Sequence, residues 1–380
     1  MKTIYLDHGS TSFPKAPGVG NAMMDLLAEG GFNIGRGGYE SAYSLAERVI
    51  GVRQQIRDFF GFETDSNVVF TPNVTYSLNV LIGGLLKAGD HVITSTMEHN
   101  AVARPLEAAK QRGVAVSYAQ ADGVGSIEPE VIEALIRPNT RAVVLLHGSN
   151  VCGTLLPITE IGEICKRRGV LFAVDTAQTA GVVPIDMKKM GIDALAFTGH
   201  KGLLGPQGIG GLLLRDEIAS SVSPLIFGGT GSRSDSLEMP EFLPDKFEPG
   251  TLNLPGIIGL SAALDYITEV GIDQIRSIET SLARRFLEAM LERNDVRVVG
   301  REGLSDRCPI VSLDFIKKDN AEISYRLDQE FGIMTRCGLH CAPLAHRSLG
   351  TFPAGTVRFS FGQQNTIEEV DQTIQAISEM

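Results

Sequence analysis

A short apolar run, rich in β-branched residues, recurs seven times between residues 65 and 215: at 67–70, 91–95, 115–118, 142–146, 170–175, 194–198 and 209–214. Amphipathic stretches at 102–112, 129–136 and 158–168 separate several of these runs. Strands with almost no polar residues are buried on both faces, which is the habit of parallel sheets. Strands alternating with helices therefore predict an α/β fold, with a mostly parallel seven-stranded sheet covered by helices on both sides. Ligands on such sheets bind beyond the carboxyl ends of the strands. The residues that follow each run are thus the first place to look for chemistry.

The flanks read differently. Residues 41–60 carry an apolar stripe at Leu45, Val49, Val52, Ile56 and Phe59, which predicts one long helix. Residues 224–255 are rich in Gly, Pro and Ser and predict irregular loop. From Gly256 the pattern changes to two helices (257–270 and 272–292), strands at 296–299 and 309–315, a helix at 321–331, a strand at 356–360 and a last helix. That helix opens with Thr366-Ile367-Glu368-Glu369, a capping-box pattern. The expected organisation is a large domain over residues 15–255. A smaller α+β C-terminal domain takes residues 256–380 together with 1–14.

Composition removes several classes of function. The 34 basic and 45 acidic residues give a net charge of −11, with no concentrated basic patch, so no nucleic-acid partner is expected. No apolar run is long enough to span a bilayer and no secretory leader opens the chain, so neither membrane nor export is expected. Five scattered cysteines, Cys152, Cys165, Cys308, Cys337 and Cys341, make no disulfide framework and predict a reducing, cytoplasmic setting. Cys337, His340 and Cys341 find no second Cys/His pair at zinc-site spacing, so no metal is expected.

Two strand ends carry the strongest chemical signal. Asp175 ends the run 170–175, where an unpaired carboxylate is costly. Lys201 follows the run 194–198, in Thr198-Gly199-His200-Lys201-Gly202. An acid and a lysine at neighbouring strand ends can meet across one cofactor. Pyridoxal phosphate needs that pair, a lysine for the Schiff base and a carboxylate to keep the pyridine nitrogen protonated. Desolvation in this apolar, Gly-rich setting would favour the neutral lysine amine. Gln178, one turn past Asp175, could reach the phenolic oxygen, while Thr198 and His200 could hold the phosphate.

Other strand ends add candidates that are also ordinary loop residues. Val74-Thr75 opens a helix after a strand, a natural phosphate seat and equally a plain cap. His99 could lie flat on an aromatic cofactor, and Asn150 could donate to a cofactor oxygen. Cys341 offers a thiol in a Gly/Pro-bounded loop, with Arg336 and His340 near in sequence. A neighbouring imidazolium or guanidinium favours the reactive thiolate. Arg358, isolated among apolar strand residues, could clamp an amino-acid carboxylate.

Taken together, these runs resemble the class V aminotransferase family of fold-type I pyridoxal phosphate enzymes, within it the cysteine desulfurase and selenocysteine lyase group. The likeness is collinear from Tyr5-Leu6-Asp7 through Met97-Glu98-His99, Ser149-Asn150-Val151, Asp175-Thr176-Ala177-Gln178, Gly199-His200-Lys201 and Glu248-Pro249-Gly250-Thr251. It continues into Arg336-Cys337-Gly338-Leu339-His340-Cys341-Ala342, which is specific to the desulfurase-like branch. The resemblance implies that Lys201 holds the cofactor, Asp175 meets its ring nitrogen, Gln178 its phenolic oxygen, and His99 stacks on the ring. It assigns Thr75, Thr198 and His200 to the phosphate. It further implies a homodimer in which Thr251 reaches the neighbouring subunit's phosphate.

By the same resemblance Asn150 and Arg358 bind the substrate carboxylate, Arg36 adds a contact, and Cys341 accepts the sulfur before passing it to an acceptor protein. Three positions depart from the pattern. Val74 stands where a hydroxyl residue is common, Cys337 where Thr or Ser is usual, and Leu339 where His is frequent. These leave the cofactor chemistry intact and leave the substrate open. L-Cysteine, L-selenocysteine, or another pyridoxal phosphate reaction on a small amino acid (transamination, epimerisation, β-elimination) all share the cofactor residues. Cys337 could resolve a Cys341 persulfide or be a tolerated change.

Overall fold

The computed structural model describes residues 3–35 and 37–380. Among the described residues thirteen strands are present, in chain order β1 (Ile4–Tyr5), β2 (Val68–Thr71), β3 (His91–Ser95), β4 (Ala115–Ala119), β5 (Thr140–Leu146), β6 (Leu171–Asp175), β7 (Ala194–Thr198), β8 (Gly210–Leu214), β9 (Val296–Val299), β10 (Ile310–Phe315), β11 (Ile333–Met334), β12 (Arg336–Gly338) and β13 (Thr356–Ser360). Seven form one sheet in the order β2-β8-β7-β6-β5-β3-β4. All seven were legible as apolar runs. Only β8 runs against its neighbours, pairing antiparallel with both β7 and β2.

Alternation of side chains explains why these runs are apolar throughout. Phe70, Ile93, Val143, Leu145, Phe172, Val174, Leu195 and Phe197 fall in one buried cluster, on one face of the sheet. Their neighbours Val69, Val92, Ala142, Val144, Ala173, Ala194 and Ala196 fall in a second cluster on the other face. The strands inside the sheet therefore have no wet side, while the edge strand β4 is buried only at Ala119. The first cluster takes in the helices Val19–Glu29, Glu40–Phe59 and Leu254–Val270. The second takes in Val74–Leu85 and Asn100–Gln111. The helix Glu40–Phe59 lies within a residue of its expected span. The helix Val19–Glu29 was not foreseen, since it starts from Gly18 at a φ of 86° with no side-chain cap.

A four-stranded antiparallel sheet, β12-β13-β10-β9, makes the core of the smaller unit. Its apolar cluster includes Phe286, Phe359, Phe361 and Leu327, with Ile4 and Leu6 from the N-terminus. The N-terminal segment joins this unit by pairing β1 with β11 and bridging Asp7 to Ser360. The helix Leu254–Val270 crosses the expected division at residue 255 and packs into the first cluster of the large sheet. The last helix starts as predicted, with Thr366 and Glu369 exchanging both capping-box bonds.

Register places the chemistry. Leu146 pairs with Asp175, Asp175 with Ala196, and Thr198 with Gly210. The carboxyl ends of β5, β6 and β7 are therefore level. The loops they feed, residues 147–150, 176–178 and 199–202, emerge side by side.

Candidate active site

Those loops, with the helix starts after β2 and β3, enclose a cavity of about 530 Å³. Its lining includes Val74, Thr75, His99, Asn150, Asp175, Gln178, Thr198, His200, Lys201 and Cys341. Residues scattered over 268 positions of sequence thus meet in one space. Arg336 lines it too. Two predicted residues lie elsewhere. Thr251 is exposed and lines separate cavities beside Phe70, Thr71 and Gly208. Arg358 is buried behind the wall, and Arg36 lies outside the described residues.

Asp175 is buried, and its Oδ1 accepts the backbone N–H of Ala177 at 2.8 Å. Burial raises its pKa, opposed by that bond and by the charge of Lys201. No cationic group forms an ion pair with it among the described residues. Burial also pushes the Lys201 amine down to about 8, with Asp175 pulling the other way. The loop that presents Lys201 depends on close backbone approach. A Cβ on Gly202 would sit 2.5 Å from the Ala180 carbonyl oxygen, so only glycine fits after the lysine.

His99 caps the helix Asn100–Gln111 by accepting the Ala101 N–H on Nδ1 at 3.0 Å. Its ring proton therefore sits on Nε2. Burial, followed by the cations Lys201 and Arg336, holds its pKa down to about 4, so the ring is neutral. Behind it, Glu98 is fully buried, and desolvation raises its pKa to about 8. Ser95 Oγ donates to its Oε1 at 2.5 Å, and the Leu146 N–H reaches both oxygens at 3.2 and 3.1 Å. Glu98 carries a fainter mark in the sequence than Asp175, since it lies three residues past the end of β3 whereas Asp175 ends β6 itself.

The residues present fit pyridoxal phosphate. Thr198 Oγ1 and His200 Nδ1 are buried with no hydrogen-bond partner, as donors awaiting a phosphate would be. They face Thr75 at the start of the helix Val74–Leu85, where the dipole favours an anion. Asp175 supplies the unpaired carboxylate for a ring N–H. Gln178 is already tied, donating Nε2 to the Gly9 carbonyl at 2.9 Å.

The thiol loop is the most constrained part of the site. His340 and Cys341 both adopt positive φ, 46° and 57°, which non-glycine residues rarely do in succession. The loop is held by Asn150 Nδ2 donating to the His340 carbonyl at 2.7 Å and by the Asn100 N–H donating to the Cys341 carbonyl at 2.8 Å. Cys341 is exposed at the cavity mouth, with Arg336 Nη2 3.9 Å from its sulfur. His340 cannot serve as the neighbouring imidazolium. Its ring is buried, hydrogen-bonded through Nε2 to Thr356 at 3.0 Å, and burial holds its pKa well below 6.5. Cys337 is absent from the cavity. Neighbouring strand residues point to opposite faces, so Arg336 on β12 takes the cavity side and Cys337 the other.

Arg358 is already engaged. Its Nη2 donates to Asp7 Oδ1 and Ser10 Oγ, each at 2.8 Å, and its Nη1 to the Asn150 carbonyl at 3.0 Å. Its Nε has no partner. A Cβ on Gly9 would lie 3.1 Å from the guanidinium carbon, so the N-terminal segment passes directly over it. Arg336 shares Ser10, donating to its Oγ at 2.9 Å. Ser10 thus joins both arginines and Asp7 holds Arg358, roles invisible in the sequence because the partners lie 326 to 351 positions away.

With this geometry in view, three comparisons agree. The aminotransferase class-V family model matches residues 4–373. A protein of Methanothermobacter thermautotrophicus described as a probable cysteine desulfurase is 34% identical, over 99% of this chain and 95% of its own length. A cysteine desulfurase of Haloferax volcanii is 32% identical over 98% and 88%. The apo structure of a cysteine desulfurase from Thermococcus onnurineus superposes with a TM-score of 0.93 at 32% identity, covering 99% of this chain and 94% of that one.

Proposed function

The chain belongs to the class-V aminotransferase family, and we propose that it works as a cysteine desulfurase, converting L-cysteine to L-alanine and leaving the sulfur as a persulfide on Cys341. One observation carries the reading: Lys201, Asp175 and Cys341 line a single cavity although they come from separate strands and loops. Relatives and structural neighbours bearing the cysteine desulfurase name support it.

Pyridoxal phosphate, when bound, supplies a sink for negative charge developing at the substrate α carbon. Thr75, Thr198 and His200 would hold its phosphate, Asp175 its ring nitrogen, Gln178 its phenolic oxygen, and neutral His99 would lie against the ring. The protein's own groups do the rest. Lys201, with an amine pKa near 8, takes the proton from the substrate α carbon as a general base. Arg336 and Asn150 line the cavity where the substrate carboxylate would sit, with Arg358 in the row behind.

Cys341 then attacks the substrate sulfur as its thiolate. A sulfur–sulfur bond forms and the carbon–sulfur bond breaks, its electron pair staying with carbon. Protonation of that carbon completes L-alanine, so atoms and electrons balance between a thiol plus L-cysteine and a persulfide plus L-alanine. The exposed position of Cys341 suits hand-over to an acceptor protein. L-Selenocysteine, which differs from L-cysteine by one atom, is the second substrate of this reading.

A homodimer accompanies this reading. Thr251 faces away from its own catalytic cavity, and the same stretch exposes Leu225, Ile226, Phe227, Leu237 and Phe242. Burying that apolar surface against a second copy would bring Thr251 to the partner's phosphate seat. Five free thiols fit a reducing, cytoplasmic setting.

The test is chemical mapping. Borohydride reduction of protein loaded with pyridoxal phosphate should label the peptide containing Lys201. After L-cysteine, mass spectrometry should find the added sulfur on the Cys341 peptide. A label on another lysine, or alanine formed with no persulfide on Cys341, would overturn the assignment.

A further inference from the structure

A second cavity, of about 440 Å³, lies on the far side of the β5 loop from the catalytic one. Its size falls within the ~300–1,000 Å³ of small-molecule sites. Elements of both units build it. The large sheet contributes residues 126–129, His147 and 155–160, and the smaller unit contributes Arg301 and Asp306. Arg276, from the helix Ile272–Leu291, closes it.

The charges here are arranged in an unusual way. Arg276 is half-buried and makes no hydrogen bond or ion pair among the described residues. Arg301 spends one nitrogen on Ser126 Oγ at 2.6 Å, while its buried Nε has no partner. His147 is only 5% exposed, and its Nδ1 is unpartnered as well. Glu128, Glu160 and Asp306 line the same cavity at its exposed rim. None of these carboxylates pairs with either arginine. The two signs therefore share this cavity with no ion pair between them.

The other walls sharpen the choice. The helix Ile158–Arg168 opens into the cavity with no side-chain cap; its Ile158 N–H donates to the Leu156 carbonyl at 2.8 Å, which leaves the amides of Thr159 and Glu160 for an anion. Leu155, Leu156, Ile158 and Val183 supply an apolar wall. A dianion such as a phosphate would meet two guanidinium groups but also three rim carboxylates. A carboxylate that carries a cation at its other end satisfies both sets.

We propose that this second cavity binds a free α-amino acid with a branched apolar side chain. Its carboxylate meets Arg276, Arg301 and the amides of Thr159 and Glu160. Its ammonium group meets the rim carboxylates, and its side chain lies on Leu155 and Val183. Such a ligand ties the large sheet to the smaller unit. It also touches His147, whose backbone N–H bonds the Asp175 carbonyl at 2.9 Å and whose next residue, Gly148, lines the catalytic cavity.

The experiment uses protein loaded with pyridoxal phosphate, L-leucine as the probe, calorimetry for binding and cofactor absorption as a position marker. L-Leucine should bind with a Kd at or below about 1 mM and leave the cofactor absorption unchanged. Arg276→Ala, which removes a side chain that bonds to nothing, should weaken binding at least tenfold. Leucinamide and N-acetyl-L-leucine, each lacking one of the two charges, should both bind at least tenfold more weakly than L-leucine. Glu160→Gln, at the exposed rim, should weaken L-leucine and spare N-acetyl-L-leucine. No binding by about 10 mM, equal binding by the Arg276 variant or by leucinamide, or a change in cofactor absorption would each overturn the proposal.

Discussion

Asn150 Nδ2 donates to the carbonyl of His340 at 2.7 Å, joining the loop after β5 to the loop that carries the thiol. The Asn150 carbonyl in turn accepts from Arg358 at 3.0 Å. A residue expected only to touch substrate is therefore also a structural tie, and the two consecutive positive φ angles at His340 and Cys341 are held by it. Asn150→Ala leaves a buried carbonyl without its donor, which costs about 1–3 kcal/mol. The thermal midpoint should fall, and iodoacetamide should label Cys341 faster because its loop is freed. Unchanged labelling would show that the tie does not restrain the thiol.

The Lys201 amine should titrate far below an ordinary lysine. Burial brings it down to about 8, so the reactive neutral form becomes abundant near that pH rather than near 10.5. Reductive methylation of protein free of pyridoxal phosphate, followed by peptide mapping across pH, should give a midpoint at residue 201 near 8. Asp175→Asn removes the charge that raises the amine pKa and should move the midpoint lower still.

Glu98 makes stability depend on pH in a definite direction. Its folded pKa is raised to about 8 from an ordinary 4.5. Between those values the unfolded chain has released this proton while the folded protein keeps it, so the group destabilises increasingly as pH rises through that window. Glu98→Gln keeps the shape and removes the titration. Thermal midpoints of variant and parent should therefore diverge between about pH 4.5 and 8, with the variant gaining. Parallel curves would contradict the buried, protonated carboxyl.

Arg53 and Glu248 form a buried two-pronged pair, at 2.8 and 2.6 Å, which fixes the segment leading to Thr251 against the helix Glu40–Phe59. Glu248 Oε1 also accepts the Phe70 N–H at 2.5 Å. Removing one partner strands the other charge, at about 3–5 kcal/mol. Glu248→Ala should show that loss in thermal unfolding. The double variant Arg53→Met, Glu248→Leu should recover much of it. A small loss in the single variant would show that water reaches the pair.

What was legible in the sequence follows from range. The inner strands of the large sheet were readable because burial on both faces leaves each a mostly apolar run, and the edge strand β4 by its β-rich composition despite its exposure. Asp175 and Lys201 were readable because a charge at the end of such a run has few structural explanations. The helix Val19–Glu29 was hidden, since it lacks a side-chain cap and its start is set by tertiary packing. Asp7 and Ser10 were hidden for a different reason. Nothing local marks them, and their role appears only when the N-terminal segment crosses the smaller sheet to meet Arg336 and Arg358. The direction of Cys337 depends on the pairing of β12 with β13, which composition does not encode.

The sharpest test separates the sulfur-accepting thiol from the rest of the cavity. Parent protein and Cys341→Ala, both loaded with pyridoxal phosphate, are given L-cysteine, and L-alanine is measured. The parent should form alanine, and the variant should bind cofactor normally yet form almost none. Alanine production by the variant at the parent's rate would show that the sulfur leaves by another route and that Cys341 is not the nucleophile.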